Sequence, residues 1–175
     1  MFSKIVIKLG NKAFYLIGGI VVVVFAIIMV VMFANTGAKT PVTCEQVSTK
    51  LIDLGYEAND CTEHYKEQSA NLEGSIMSDN GKVNFYFFEL DNDKSALNLF
   101  RNCQAQISEN RLYGVQEWEE HYNNYTMYAT QSNGIYYTVI RVGNTVIDAQ
   151  CDAEYKSELD TILLSIDYGS STKNK

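Results

Sequence analysis

The chain has 175 residues, with 14 basic and 21 acidic side chains and a net charge of −7. An acidic chain repels phosphate backbones, which excludes nucleic acid as a favoured partner. The length is sufficient for a membrane segment and one compact domain.

The only long uncharged apolar run covers residues 13–34 and consists mostly of Ile, Val, Phe and Met. A helix of that length reaches about 33 Å, enough to cross a hydrocarbon core of about 30 Å. Lys4, Lys8 and Lys12 precede it without any acidic residue, and positive charge stays in the cytoplasm. The sequence therefore predicts a single-pass cell-membrane protein with a signal anchor, its N-terminus in the cytoplasm and its C-terminal domain outside.

Two other interpretations of this segment also place the rest of the chain outside the cytoplasm. A cleaved signal peptide has an apolar core of about 7–15 residues, shorter than this one, although Thr36-Gly37-Ala38 resembles a cleavage site. A lipoprotein would carry a small residue before its cysteine, which Cys44 lacks. Whether the segment is retained or cleaved stays open.

Composition divides the chain further. Residues 1–12 form a basic tail, 13–34 the predicted transmembrane helix, and 35–40 a polar linker. Residues 41–168 form the predicted extracytoplasmic domain, and 169–175 a disordered tail. Beyond the first 12 residues the chain holds 11 basic and 21 acidic side chains, a net charge of −10.

Local signals define the elements of this domain. Thr43 and Gln46 form a capping-box pattern at a helix start, and Asn80-Gly81 between two extended runs is a strong hairpin signal. Asp93 caps an amphipathic helix. The predicted elements, in chain order, are a helix at 44–54, strands at 72–78 and 82–90, a helix at 93–109, strands at 125–131, 135–142 and 145–151, and a last helix that Asp152 caps.

Residues 111–124 fit either a short helix or a long loop. The resulting order is α-β-β-α-β-β-β-α, which predicts an α+β domain with an antiparallel sheet and its helices packed on one face. The aromatic residues on both sides of strand 82–90 place that strand at the centre of the sheet.

The four cysteines all lie beyond the apolar segment, and an even number outside the cytoplasm predicts two disulfides. Cys103 lies on the apolar stripe of its helix, and Cys151 lies on the apolar face of the last strand. We therefore expect Cys103 to pair with Cys151, which leaves Cys44 for Cys61. Four buried free thiols are the alternative. No two cysteines have the short spacing of a structural zinc site.

Few residues suggest catalysis. No nucleophile motif, Cys-x-x-Cys pair or phosphate-binding glycine loop occurs, and no metal or cofactor is predicted. His121 with Glu117 supplies too few metal ligands, and Asp91 and Asp93 lack the rest of a calcium loop. The catalytic alternative is an envelope hydrolase that uses surface carboxylates such as Glu117 or Glu120, which would need a cleft and a raised carboxyl pKa.

Aromatic residues are the one unusual feature of the domain. Tyr and Trp are frequent at protein interfaces and on faces that stack against sugars, although Tyr is also common in ordinary strands. The predicted function is a non-enzymatic binding or accessory module with a possible protein partner in the envelope. The candidate binding residues are Trp118, Tyr122, Tyr125, Tyr128 and Tyr136.

Overall fold

The structure is a computed structural model that describes residues 38–67, 69–110, 116–122 and 124–169. Its helices are α1 (Cys44–Asp53), α2 (Thr62–Lys66), α3 (Asp93–Asn110) and α4 (Lys156–Ser165). A 3₁₀ turn, Ala153–Tyr155, leads into α4. Its strands are β1 (Asn59–Asp60), β2 (Leu72–Asp79), β3 (Val83–Leu90), β4 (Gln116–Tyr122), β5 (Tyr125–Ser132), β6 (Ile135–Val142) and β7 (Thr145–Asp152).

The seven strands form one antiparallel sheet in the order β1-β2-β3-β7-β6-β5-β4. The predicted α+β class and antiparallel sheet are therefore confirmed. β3 lies inside the sheet between β2 and β7, as its two-sided aromatic pattern predicts. β4 forms one edge, and the two-residue β1 forms the other.

The predicted start of α1 is confirmed in detail. The Gln46 backbone N–H donates to the Thr43 hydroxyl, and the Gln46 side chain accepts from the Thr43 backbone N–H at 2.9 Å. This reciprocal pair satisfies two backbone donors that the helix start leaves without partners. α1 therefore begins at Cys44 because the sequence supplies both halves of the cap.

Both faces of the sheet are apolar, and each is covered by helix. On one face, α1 and α4 contribute Val47, Leu51, Leu159 and Ile162 to a core that contains Phe87. On the opposite face, α3 contributes apolar side chains to a second core. The residues of this second core are Leu72, Leu90, Ala96, Phe100, Cys103, Tyr128, Val139 and Val146. The prediction that the helices pack on one face is therefore wrong.

The same error invalidates the predicted disulfides. Cys103 lies in the core under α3, whereas Cys151 lies in the core on the other face, so the sheet separates the two sulfur atoms. All four cysteines are free thiols. The prediction had assumed that only one face of the sheet is buried. Because both faces are buried, Cys103 and Cys151 lie on opposite sides of the sheet.

The second predicted bridge fails for a related reason. The Cys44 sulfur lies over Gly74, where a Cβ atom would come within 2.7 Å of it. Cys61 Sγ instead lies 3.1 Å from Ser75 Oγ. Because consecutive strand residues point to opposite faces, Gly74 and Ser75 hold the two cysteines on different sides of β2.

No helix among the described residues is long and apolar enough to cross a membrane. The predicted transmembrane segment, residues 13–34, lies outside the described residues. The structure therefore gives no support to the predictions of a membrane protein and a signal anchor. The localisation that rests on them is untested and stays a prediction.

Tyr168 fastens the two ends of the described domain together. Its ring is fully buried, and its hydroxyl lies 2.7 Å from Thr145 Oγ1 and accepts a 3.0 Å hydrogen bond from the Val42 backbone N–H. Tyr168, three residues beyond the end of α4, is thus tied to β7 and to the segment that precedes α1.

Replacing Tyr168 with Phe should lower the free energy of unfolding by about 1–3 kcal/mol, because the half-buried Val42 N–H loses its acceptor and the buried Thr145 hydroxyl loses its partner. Chemical denaturation followed by circular dichroism measures this change. Tyr155→Phe is the matched control, since Tyr155 has no such buried partner, and its effect should stay within about 0.5 kcal/mol. Equal effects of the two substitutions would contradict the role of the hydroxyl.

The free thiols lead to a second prediction. Burial, together with the nearby Glu89 carboxylate, raises the pKa of Cys44 to about 12. Burial and Asp148 raise the pKa of Cys103 to about 12, and burial raises that of Cys151 to about 11. Since the thiolate is the reactive form, these three thiols should alkylate slowly at pH 8 in the folded protein.

Alkylation without reductant, followed by mass spectrometry, measures how fast the thiols react in the folded protein. The same experiment in urea counts the free thiols of the unfolded chain. The unfolded chain should carry four adducts, one for each cysteine. A chain that gains adducts in urea only after reduction would contain a disulfide and would contradict the structure.

Candidate functional site

A cleft of about 320 Å³ opens between α4 and the edge of the sheet formed by β4 and β5. Met127 and Ala129 of β5 and Tyr136 of β6 line it from the sheet, and all three are buried. Trp118 of β4 and Leu164 of α4 also line it. The cleft lies beside α4, which packs over β7.

The two aromatic residues of the cleft are neighbours. The Trp118 and Tyr136 rings lie 6.3 Å apart, centroid to centroid, at an angle of 52°. The Trp118 side chain is 44% exposed, and Leu164 is 68% exposed. Large apolar side chains at this exposure lose water contact when a partner covers them, and tryptophan is enriched among residues that dominate binding energy.

A charged pair borders the cleft on the side of α4. Lys156 Nζ lies 2.6 Å from Asp160 Oδ2 and 4.9 Å from the centre of the Tyr136 ring. Burial and the nearby Asp160 carboxylate raise the pKa of Tyr136 above its usual value. Tyr136 therefore stays neutral at physiological pH and presents a polarised ring rather than a charge.

The predicted binding residues divide into two groups. Trp118 and Tyr136 line the cleft. Tyr125 and Tyr128 are fully buried in the two cores on opposite faces of the sheet, so neither belongs to a binding surface. Tyr122 ends β4 and pairs with Tyr125 through its backbone, and its side chain lies outside the description.

The sequence analysis missed most residues of the cleft, among them Lys156, Asp160 and Leu164. Leu164 carried a usable signal. It follows directly after the buried Leu163, so it falls off the apolar stripe of α4 and had to point to solvent. An apolar residue on the polar side of a helix is a candidate contact residue.

The two carboxylates of the hydrolase hypothesis do not form a pair. Glu117 and Glu120 lie three residues apart on β4 and therefore project to opposite faces of the sheet. Glu120 lines the cleft, whereas Glu117 is exposed on the other side. Acid–base catalysis by two carboxylates needs both of them at one substrate, and this strand separates them.

Comparisons with known proteins identify no family. No family model matches the chain, and no curated protein matches it. A solved structure described as a GTP binding regulator from Thermotoga maritima is similar at 9% sequence identity, with a TM-score of 0.46. The match covers 74% of this chain and 91% of that protein. A likeness of this size carries no argument about function.

The difference between Tyr128 and Trp118 can be measured. Tyr128→Ala should lower the free energy of unfolding by about 3–5 kcal/mol, because it leaves a cavity in the core under α3. Trp118→Ala should cost roughly 1 kcal/mol, since the side chain lies at the edge of the sheet. Urea denaturation of both variants tests this order, and a larger loss for Trp118→Ala would show that Trp118 is a core residue.

Proposed function

We propose that this protein is a non-enzymatic binding module that docks a partner protein in the cleft between β4 and α4. The observation that supports this most directly is the pair of exposed apolar side chains, Trp118 and Leu164, on either side of an apolar floor. A partner side chain that displaces water from such an apolar surface stabilises the complex.

The position of the cleft at a sheet edge favours an extended partner segment. β4 is the last strand of the sheet, and its described partner is β5 on one side only. Backbone groups on the outer side of an edge strand can pair with an added strand. A partner strand beside β4 would place every second side chain over Trp118 and the cleft.

The charge around the cleft determines which partner segments it attracts. β4 carries Glu117, Glu119 and Glu120. Lys156 and Asp160, which border the cleft, form an ion pair and offset each other's charge. Together with the net charge of −10 beyond residue 12, this surface attracts basic segments and repels acidic ones. The partner is therefore an extended basic segment with an apolar side chain for the cleft.

The single tryptophan of the chain makes a direct assay possible. A capped peptide of alternating lysine and valine, with one central leucine, should bind saturably and shift the Trp118 emission to shorter wavelength as the indole loses water. The same peptide with glutamate in place of lysine should not bind. A version methylated on alternate backbone nitrogens should also fail, because it cannot add to the edge strand.

Matched variants assign the binding to the cleft. Leu164→Ala should weaken the affinity about tenfold, equivalent to about 1.4 kcal/mol. Ile52→Ala is the control, since Ile52 is similarly exposed, at 61%, but lies on α1 and does not line the cleft. Equal binding of the basic and acidic peptides, or equal effects of the two substitutions, would refute the proposed docking surface.

A further inference from the structure

A second cavity lies on the opposite face of the sheet, the face that α3 covers, and we call it the cavity beside α3. It has a volume of about 370 Å³, the size of a site for a small organic molecule. Gln106 and Ile107 line it from the second half of α3. Ile135, Tyr137 and Asp148 line it from β6 and β7.

The strand register places the sheet residues of this cavity on one face. Tyr137 is directly opposite Gln150, which follows Asp148 by two residues on β7. Val139 follows Tyr137 by two residues on β6 and belongs to the core under α3. Because side chains alternate along a strand, Tyr137, Asp148 and Gln150 all project towards α3.

Asp148 supplies the negative charge of the cavity. Its side chain is half-buried, and its carboxylate accepts a hydrogen bond from the Cys103 thiol of α3. Burial raises the pKa of Asp148, which means that its surroundings disfavour the ionised carboxylate. Among the described residues that line the cavity, none is Lys, Arg or His. A cation that enters the cavity would therefore stabilise this carboxylate.

The other lining groups fit the remainder of an organic cation. Ile107 and Ile135 offer aliphatic surface, and the Tyr137 ring offers an aromatic face of the kind that attracts cations. Gln150 is exposed, and its amide oxygen can accept a hydrogen bond from an ammonium group. A calcium or magnesium ion needs more oxygen ligands than one carboxylate and one amide provide, and the described residues contain no group of metal-ligating side chains.

We infer that the cavity beside α3 binds a small primary amine, whose ammonium group pairs with Asp148 and whose hydrocarbon part lies against Ile107 and Ile135. The Tyr137 ring then lies beside the bound amine. Anions are excluded because they would meet the Asp148 carboxylate. The inference does not depend on the docking cleft, since Trp118 and the cavity beside α3 lie on opposite faces of the sheet.

Three probes of similar shape and different charge test this inference. They are phenethylamine, phenethyl alcohol and hydrocinnamate, which are cationic, neutral and anionic at pH 7. Isothermal titration calorimetry of the full chain should show saturable binding of phenethylamine. The alcohol should bind about tenfold more weakly, and hydrocinnamate should not bind.

Asp148→Asn keeps the shape of the side chain and removes its charge, so it should weaken phenethylamine binding about tenfold or more. Asp53→Asn is the matched control, because it removes an exposed carboxylate from α1 and should leave binding unchanged. Phenethylamine should raise the melting temperature of the unsubstituted protein but not that of Asp148→Asn. In the absence of amine, Asp148→Asn should be at least as stable in urea as the unsubstituted protein, since burial disfavours the charge that it removes.

Absence of phenethylamine binding, equal binding of the three probes, or binding that Asp148→Asn leaves intact would overturn the inference. An equal loss of binding in Asp53→Asn would also overturn it, because the amine would then respond to net charge rather than to the cavity. A marked loss of stability in Asp148→Asn would make Asp148 a structural partner of Cys103 and would likewise contradict its role in binding.

Discussion

The need to cover two apolar faces of one sheet determines the rest of this structure. β3 shows the requirement most clearly, because Phe85 and Phe87 project to one side while Phe88 and Leu90 project to the other. Burying only one side would leave large aromatic surfaces in water, at a cost of about 25 cal/mol per Å². The chain therefore places α1 and α4 on one face and α3 on the other.

The helices do not cover the sheet completely, and two cavities lie where the coverage ends. Seven strands at about 4.8 Å spacing make a sheet roughly 29 Å wide, whereas two helices of about 10 Å diameter cover roughly 20 Å. On the face of α1 and α4, the uncovered part is the β4 edge with Trp118. On the other face, it is a cavity of about 370 Å³ beside Gln106 and Ile107 of α3. Each cavity follows from incomplete coverage of the sheet by helices rather than from an inserted loop.

Local signals predicted most elements of the fold, and the failures have a common physical cause. The capping box at Thr43 and the turn at Asn80-Gly81 depend on neighbouring residues, so they can be read directly. β4 was missed because Gln116–Tyr122 is rich in charge and shows no apolar alternation. An edge strand tolerates charge that an inner strand does not. Recognising β4 as a strand therefore requires knowing where the sheet ends, and no local sequence pattern gives that information.

The cysteine pairing failed for the same kind of reason. The apolar stripe placed Cys103 inward, and the alternation in β7 placed Cys151 inward, and both residues are indeed buried. The pattern did not show that this sheet is covered on both sides. In such a sheet two buried residues can lie in different cores on opposite faces. The tyrosines show the complementary limit: composition singled out Tyr125, Tyr128 and Tyr136, but only the register determines which of them reaches the cleft.

β5 links these two cavities through its register. Ala129 lines the docking cleft and Thr130 lines the cavity beside α3, so consecutive residues of one strand face opposite sides of the sheet. A slip of one residue would exchange them and would turn apolar side chains toward the cavity beside α3. The turn between β5 and β6 prevents this slip, because Asn133 and Gly134 have φ values of +52° and +77°. Two consecutive positive φ angles define a tight type I′ turn, which fixes Ser132 opposite Ile135. A two-residue turn at the far end of the hairpin therefore sets the chemistry of both faces.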